Sequence, residues 1–86
     1  MFYKVKSVTP QPNFRLLVHF CCGTAKEYDA APLFAQVDGF QALRDIPGLF
    51  EQVCVDAGGY GISWNDELDL SCNELWSHGQ SVSTPA

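Results

Sequence analysis

Residues 14–20 alternate strictly, with Phe14, Leu16, Val18 and Phe20 on one side of an extended chain and Arg15, Leu17 and His19 on the other. A period of two with one apolar face predicts a half-buried strand. Tyr3 to Thr9 is rich in β-branched and aromatic residues and predicts an earlier strand, stopped by the turn-forming cluster Pro10-Gln11-Pro12-Asn13. After Phe20, Cys22-Gly23 puts a glycine where a tight hairpin needs positive φ, so Thr24 to Tyr28 returns as a third strand. The first third of the chain therefore reads as a three-stranded antiparallel meander.

Helical spacing replaces alternation after Tyr28. Asp29 is placed to cap a short helix with Pro32 in its first turn, Leu33, Phe34 and Val37 on one stripe, and Gly39 as its end. Asp45 then opens a second short helical stretch with Pro47 near its start and Ile46, Leu49, Phe50 and Val53 at helical spacing, weakened by Gly48.

Extended segments return at Val53–Asp56 and Tyr60–Trp64, which flank Gly58-Gly59 and predict a hairpin with a two-residue turn. In that register Val55 faces Ile62 and Val53 faces Trp64. Val53, Val55, Tyr60, Ile62 and Trp64 then share one face, with Cys54, Asp56, Gly61 and Ser63 on the other. Asn65-Asp66 turns the chain into a short extended piece, Glu67 to Leu70. Ser71-x-x-Glu74 is a capping box, in which the serine accepts from the N–H three residues on and the glutamate reaches back. It opens a helix that carries Leu75 and Trp76 and ends at Gly79. The fold class expected is α+β: a meander, short helices, then a β-hairpin and a helix. It forms one domain over residues 1–79, and residues 80–86 are expected as a flexible tail.

Composition narrows the functional classes. Of 86 residues, 47% are hydrophobic and only 17% charged, which is the balance of a folding chain. A domain of this size buries only about 60% of its unfolded surface, so association would add to a thin margin. The net charge is −5, and Lys4, Lys6, Arg15, Lys26 and Arg44 form no run, which argues against direct binding of nucleic acid. An acidic surface suits encounter with a basic protein instead. No secretory apolar core and no membrane-length run is present, so a cytoplasmic location is expected, with Cys21, Cys22, Cys54 and Cys72 as free thiols.

The motifs that could carry chemistry have structural readings that weigh more. Gly58-Gly59-Tyr60-Gly61 lacks the helix, lysine and hydroxyl of a phosphate loop and reads as a hairpin needing positive φ. His19, Cys21 and Cys22 are a conceivable soft-metal set, but adjacent strand residues point to opposite faces and no C-x-x-C is present. Cys72 and His78 lie about 240° apart on a helix, which argues against a thiol nucleophile and its base. Cys54 and Cys72 read as small buried hydrophobes. Asp56, Asp66, Glu67, Asp69 and Glu74 lack calcium-loop spacing and read as a solvated acidic face. No catalytic residue, metal ligand or cofactor is assigned.

The run from Val55 to Trp76, VDAGGYGISWNDELDLSCNELW, resembles the signature of the bacterial family called domain of unknown function 2442. Tyr3-Lys4-Val5-Lys6-Ser7-Val8, Leu16-Leu17-Val18-x-Phe20 and Tyr28-Asp29 carry the same resemblance, from about residue 2 to Gly79. It implies a small α+β fold with an amino-terminal meander and no known activity. It also implies a short chain that often accompanies a second small protein, as in toxin and antitoxin pairs, and is sometimes fused to a helix-turn-helix domain that this chain is expected to lack. Cys21-Cys22 stands where the family has a polar turn pair, and Glu27 where an apolar residue is common.

The function expected is a protein-interaction module, an antitoxin-like or regulatory partner of a second, basic protein. Its contact surface is Asp56, Gly58, Gly59, Tyr60, Trp64, Asn65, Asp66 and Trp76, with the aromatics of a kind found at binding hot spots or in a small core. The alternative is a small-ligand or metal-binding domain, or an enzyme, using the same hairpin with Asp56, Asp66 and Asp69. A homodimer through an unpaired strand edge is a third reading.

Overall fold

The computed structural model describes residues 3–82. Its strands are β1 (Val5–Gln11), β2 (Arg15–Phe20), β3 (Ala25–Asp29), β4 (Cys54–Val55), β5 (Gly61–Ser63), β6 (Asp69–Ser71) and β7 (Gln80–Ser81). Its helices are α1 (Leu33–Gln36), α2 (Ala42–Asp45) and α3 (Cys72–His78). They form an α+β fold with two antiparallel sheets, one in the order β1-β2-β3-β7 and one in the order β4-β5-β6.

The meander forms as the alternation predicts, with Leu16, Val18 and Phe20 buried on the inner face of β2. β1 runs past the expected stop through Pro10 to Gln11. Proline is tolerated there because β1 is an edge strand and its missing N–H takes nothing from the ladder. Phe14 is not in the strand. It sits with Asn13 in the connecting turn, both at positive φ (59° and 65°). A phenylalanine there is strained, and two edge-to-face contacts, with Phe34 at 5.1 Å and Phe50 at 5.3 Å, hold it in place. The second turn is a three-residue loop in which Phe20 donates to Thr24 and Gly23 takes φ +94°, the positive φ expected of it.

The two middle helices are shorter than expected, and one is displaced. Asp29 ends β3, and its carboxylate accepts from the Ala31 N–H in a local turn rather than capping α1, which starts after Pro32. Val37 is exposed at the end of α1, off the buried stripe. Asp45 closes α2 instead of opening a helix; Pro47 and Gly48, at φ +83°, then break the chain. Ile46 is consequently 52% exposed, while Leu49 and Phe50 reach the core through a short 3₁₀ turn, Phe50–Gln52.

The second sheet keeps the expected register, with Val55 opposite Ile62. Its turn differs: Ala57–Gly59 form a 3₁₀ turn, and Asp56 N–H bonds the Gly61 carbonyl, which leaves four residues in the loop. Gly58 and Gly59 both take φ +79°. A Cβ on Gly59 would stand 2.7 Å from the Val5 carbonyl oxygen, so this loop packs backbone to backbone on β1.

Ser71 caps α3 by accepting from the Glu74 N–H at 3.1 Å. The second half of the capping box is not made, because the Glu74 carboxylate turns to Tyr28 and His78. α3 stops at Gly79, where a Cβ would meet the Leu75 carbonyl oxygen at 2.5 Å. Gln80 and Ser81, expected in the tail, pair with Glu27 and Lys26 as β7, and Ser83 to Ala86 lie outside the described residues. The core between the sheets joins Leu16, Val18, Phe20, Tyr28, Ile62, Leu70 and Leu75.

A polar cleft at the edge of the third strand

The sequence-predicted site residues separate into four places. Asp56, Gly58, Gly59 and Tyr60 share the β4–β5 loop. Tyr60 is 52% exposed with the Lys4 ammonium 5.2 Å from its ring centre, while the Asp56 carboxylate accepts from the Ser63 hydroxyl at 2.6 Å. Gly59 is buried and serves the packing on β1. Asn65 and Asp66 occupy the β5–β6 turn, where the Asn65 side chain accepts from the N–H groups of Glu67 and Leu68. Trp64 is a core residue, 5% exposed, with its indole N–H on the Phe50 carbonyl at 3.0 Å.

Trp76 belongs to a fourth place. It stacks on Tyr3 at 3.6 Å, and the Lys26 ammonium lies 4.1 Å from its ring centre while donating to the Trp76 carbonyl. That lysine satisfies the carboxyl end of α3, where a positive charge meets the helix dipole favourably. Cys72 is buried as expected, but Cys54 is exposed, its thiol donating to the Ser63 carbonyl at 3.7 Å. Cys72 and His78 do not pair; the imidazole lies on Glu74 instead.

A cleft of about 780 Å³ lies away from the expected contact surface, and of the residues expected for the alternative site only Asp69 lines it. It opens because β7 pairs only with Lys26 and Glu27, so the edge of β3 is uncovered at Tyr28 and Asp29, and α1, β6 and α3 wall the gap. Leu33, Phe40 and Leu70 form its apolar floor, and Glu27, Asp29, Asp69 and Glu74 bring four carboxylates to its walls. Arg15 and His78 are the basic groups there.

Hydrogen bonds preset the polar wall. The Tyr28 hydroxyl donates to Glu74 Oε2 at 2.8 Å, and His78 Nδ1 approaches the same oxygen at 2.9 Å from one helical turn on. Burial, and after it the hydrogen bond and charge of Glu74, hold the Tyr28 phenol well above its usual pKa, so it stays a neutral donor at physiological pH. Across the cleft, Arg15 and Glu27 pair at 3.1 Å on the outer face of the meander, which gives the charge of Glu27 a solvated partner and leaves the packing of β3 intact. Among the described residues, no group of three or more His, Cys, Asp or Glu side chains is arranged to hold a metal ion.

Sequence reasoning missed this cleft because its wall joins residues 46 apart, Tyr28 and Glu74. The available signal was Glu27 and Asp29 alternating with Tyr28 near a strand end, together with a capping-box glutamate that had a second use.

The two sheets, the closing helix and the acidic cleft define a small α+β domain with a preformed concave site. The chain belongs to the DUF2442 family, proteins of unknown function, whose family model matches residues 5–81. No curated protein and no solved structure matches the chain.

Proposed function

We propose that the domain is a protein-interaction module of the bacterial cytoplasm, the acidic member of an antitoxin-like or regulatory pairing, and that its cleft receives a basic segment of the partner. The observation that carries this reading is that Asp29, Asp69 and Glu74 line one cleft with an apolar floor, Glu27 at its rim being paired to Arg15, in a chain of net charge −5. Lysine or arginine side chains gain charge-assisted hydrogen bonds on such walls while their stems cover the floor. Complementary charge also speeds encounter. In this reading the domain is not an enzyme, and the β4–β5 loop, built around glycines that pack on β1, is scaffold.

The test is affinity capture with three tagged forms: wild type, a cleft variant Asp29→Lys/Asp69→Lys, and a hairpin variant Tyr60→Ala/Asp66→Ala. A protein retained by the wild type and the hairpin variant but lost by the cleft variant supports the reading. Loss with the hairpin variant alone moves the contact to the β4–β5 loop, and no specific capture at all removes the interaction reading.

A second reading is favoured by the cleft's size, which falls in the range of about 300–1,000 Å³ typical of small-ligand sites. A small cation bound there raises the melting temperature with its concentration, whereas a module specific for a protein segment gives no shift with free cations. Pairing of two copies through a strand edge has less support, since the β1 edge carries Pro10 and Lys6 and β7 is only two residues long.

A further inference from the structure

Cys21 and Cys22 lie not on a strand but at the tip of the β2–β3 hairpin, and both are exposed. The opposite-face argument for strand residues therefore does not apply to them. Three backbone bonds fix the tip: Gly23 to Phe20 at 3.0 Å, Phe20 to Thr24 at 2.8 Å, and Cys21 to Lys4 at 2.8 Å. Two consecutive cysteines, both exposed, thus sit on a turn whose backbone is pinned by these bonds.

Adjacent Cα atoms are about 3.8 Å apart, below the roughly 4.4–6.8 Å that an unstrained disulfide spans, so the pair resists closing on itself. Zinc needs about four ligands. A trivalent, pyramidal, thiophilic centre has bent bonds that two neighbouring sulfurs satisfy.

We propose that the β2–β3 hairpin tip is a vicinal-dithiol site that chelates trivalent arsenic. With an aryl arsenoxide, the two thiols form two As–S bonds, the arsenic–oxygen bond breaks, and the oxygen leaves as water with both thiol protons. Arsenic stays trivalent, so no oxidant or reductant is consumed. The Cys22 thiol donates to the Thr24 hydroxyl at 3.5 Å, and hydrogen bonding with the Thr24 side chain and then with its backbone lowers the Cys22 pKa, which raises the fraction of the attacking thiolate. Once one bond forms, the second thiol is at high effective concentration, so the chelate outlasts the adduct of a single cysteine such as exposed Cys54.

The test is intact-protein mass spectrometry of the folded chain treated with phenylarsine oxide and then with an excess of a monothiol such as 2-mercaptoethanol. Expected is one arsenical retained by the wild type and by Cys54→Ser, and stripped from Cys21→Ser and from Cys22→Ser, with all four forms folded by circular dichroism. Loss of the arsenical from the wild type, or its retention by either hairpin variant, overturns the proposal. A fall of two in the thiols titrated on the wild type must accompany retention, and a fall of one also overturns it.

Discussion

Tyr28 shows how one side chain joins core and cleft. Its ring is buried among core residues and its hydroxyl reaches Glu74 at 2.8 Å. Tyr28→Phe keeps the packing and removes the donor, which should lower stability by about 1–2 kcal/mol in urea unfolding. The pH dependence has a definite sign. The folded pKa lies above the unfolded value near 10.0, so the unfolded chain releases the proton first. This contribution to stability is complete below about pH 10 and declines as pH rises toward the folded value. The phenylalanine variant should lose stability less steeply than wild type above that pH, as followed by urea midpoints. Glycines make a second comparison. Gly48 and Gly59 both have positive φ, but a Cβ on Gly48 meets nothing within 4 Å, whereas one on Gly59 meets the Val5 carbonyl. Gly48→Ala should cost about 1–2 kcal/mol from backbone strain alone, and Gly59→Ala clearly more, read as denaturant midpoints.

At the scale of elements, legibility followed period and length. β2 was readable because alternation leaves one face for the core, and β4 with β5 because only one register buries both Ile62 and Trp64. The stretch from Asp29 to Val53 was misread in its boundaries because each helix spans four residues, too few for periodicity to separate a helix from a turn. α3 was found through its cap rather than its stripe. Ser71→Ala should therefore cost about 1 kcal/mol in thermal or urea unfolding, through the single bond to the Glu74 N–H, because the reciprocal bond is absent. The candidate site was far less legible. Each wall of the cleft is an ordinary surface in sequence, and only the late start of β7, at Gln80, and the pairing of Tyr28 with Glu74 make them face each other.

For the whole molecule, the cleft gathers four of the chain's ten acidic residues beside one arginine, while Lys26 and Lys4 are engaged elsewhere, over Trp76 and Tyr60. A cognate complex should weaken as salt rises, and Asp29→Lys/Asp69→Lys should weaken it further at low salt, measured by titration calorimetry at several ionic strengths. The fold should survive that double substitution because both carboxylates belong to exposed residues.

The bonds from β3 to α3 also govern how the protein comes into being. Lys26 waits for Trp76, 50 residues on, and Tyr28 for Glu74, 46 on. During synthesis the meander emerges with its inner face uncovered, and the residues that close it leave the ribosome 46 to 50 residues later. Nascent chains should stay open and susceptible to proteases until α3 appears, and a chain ending at Leu70 should show no cooperative unfolding transition.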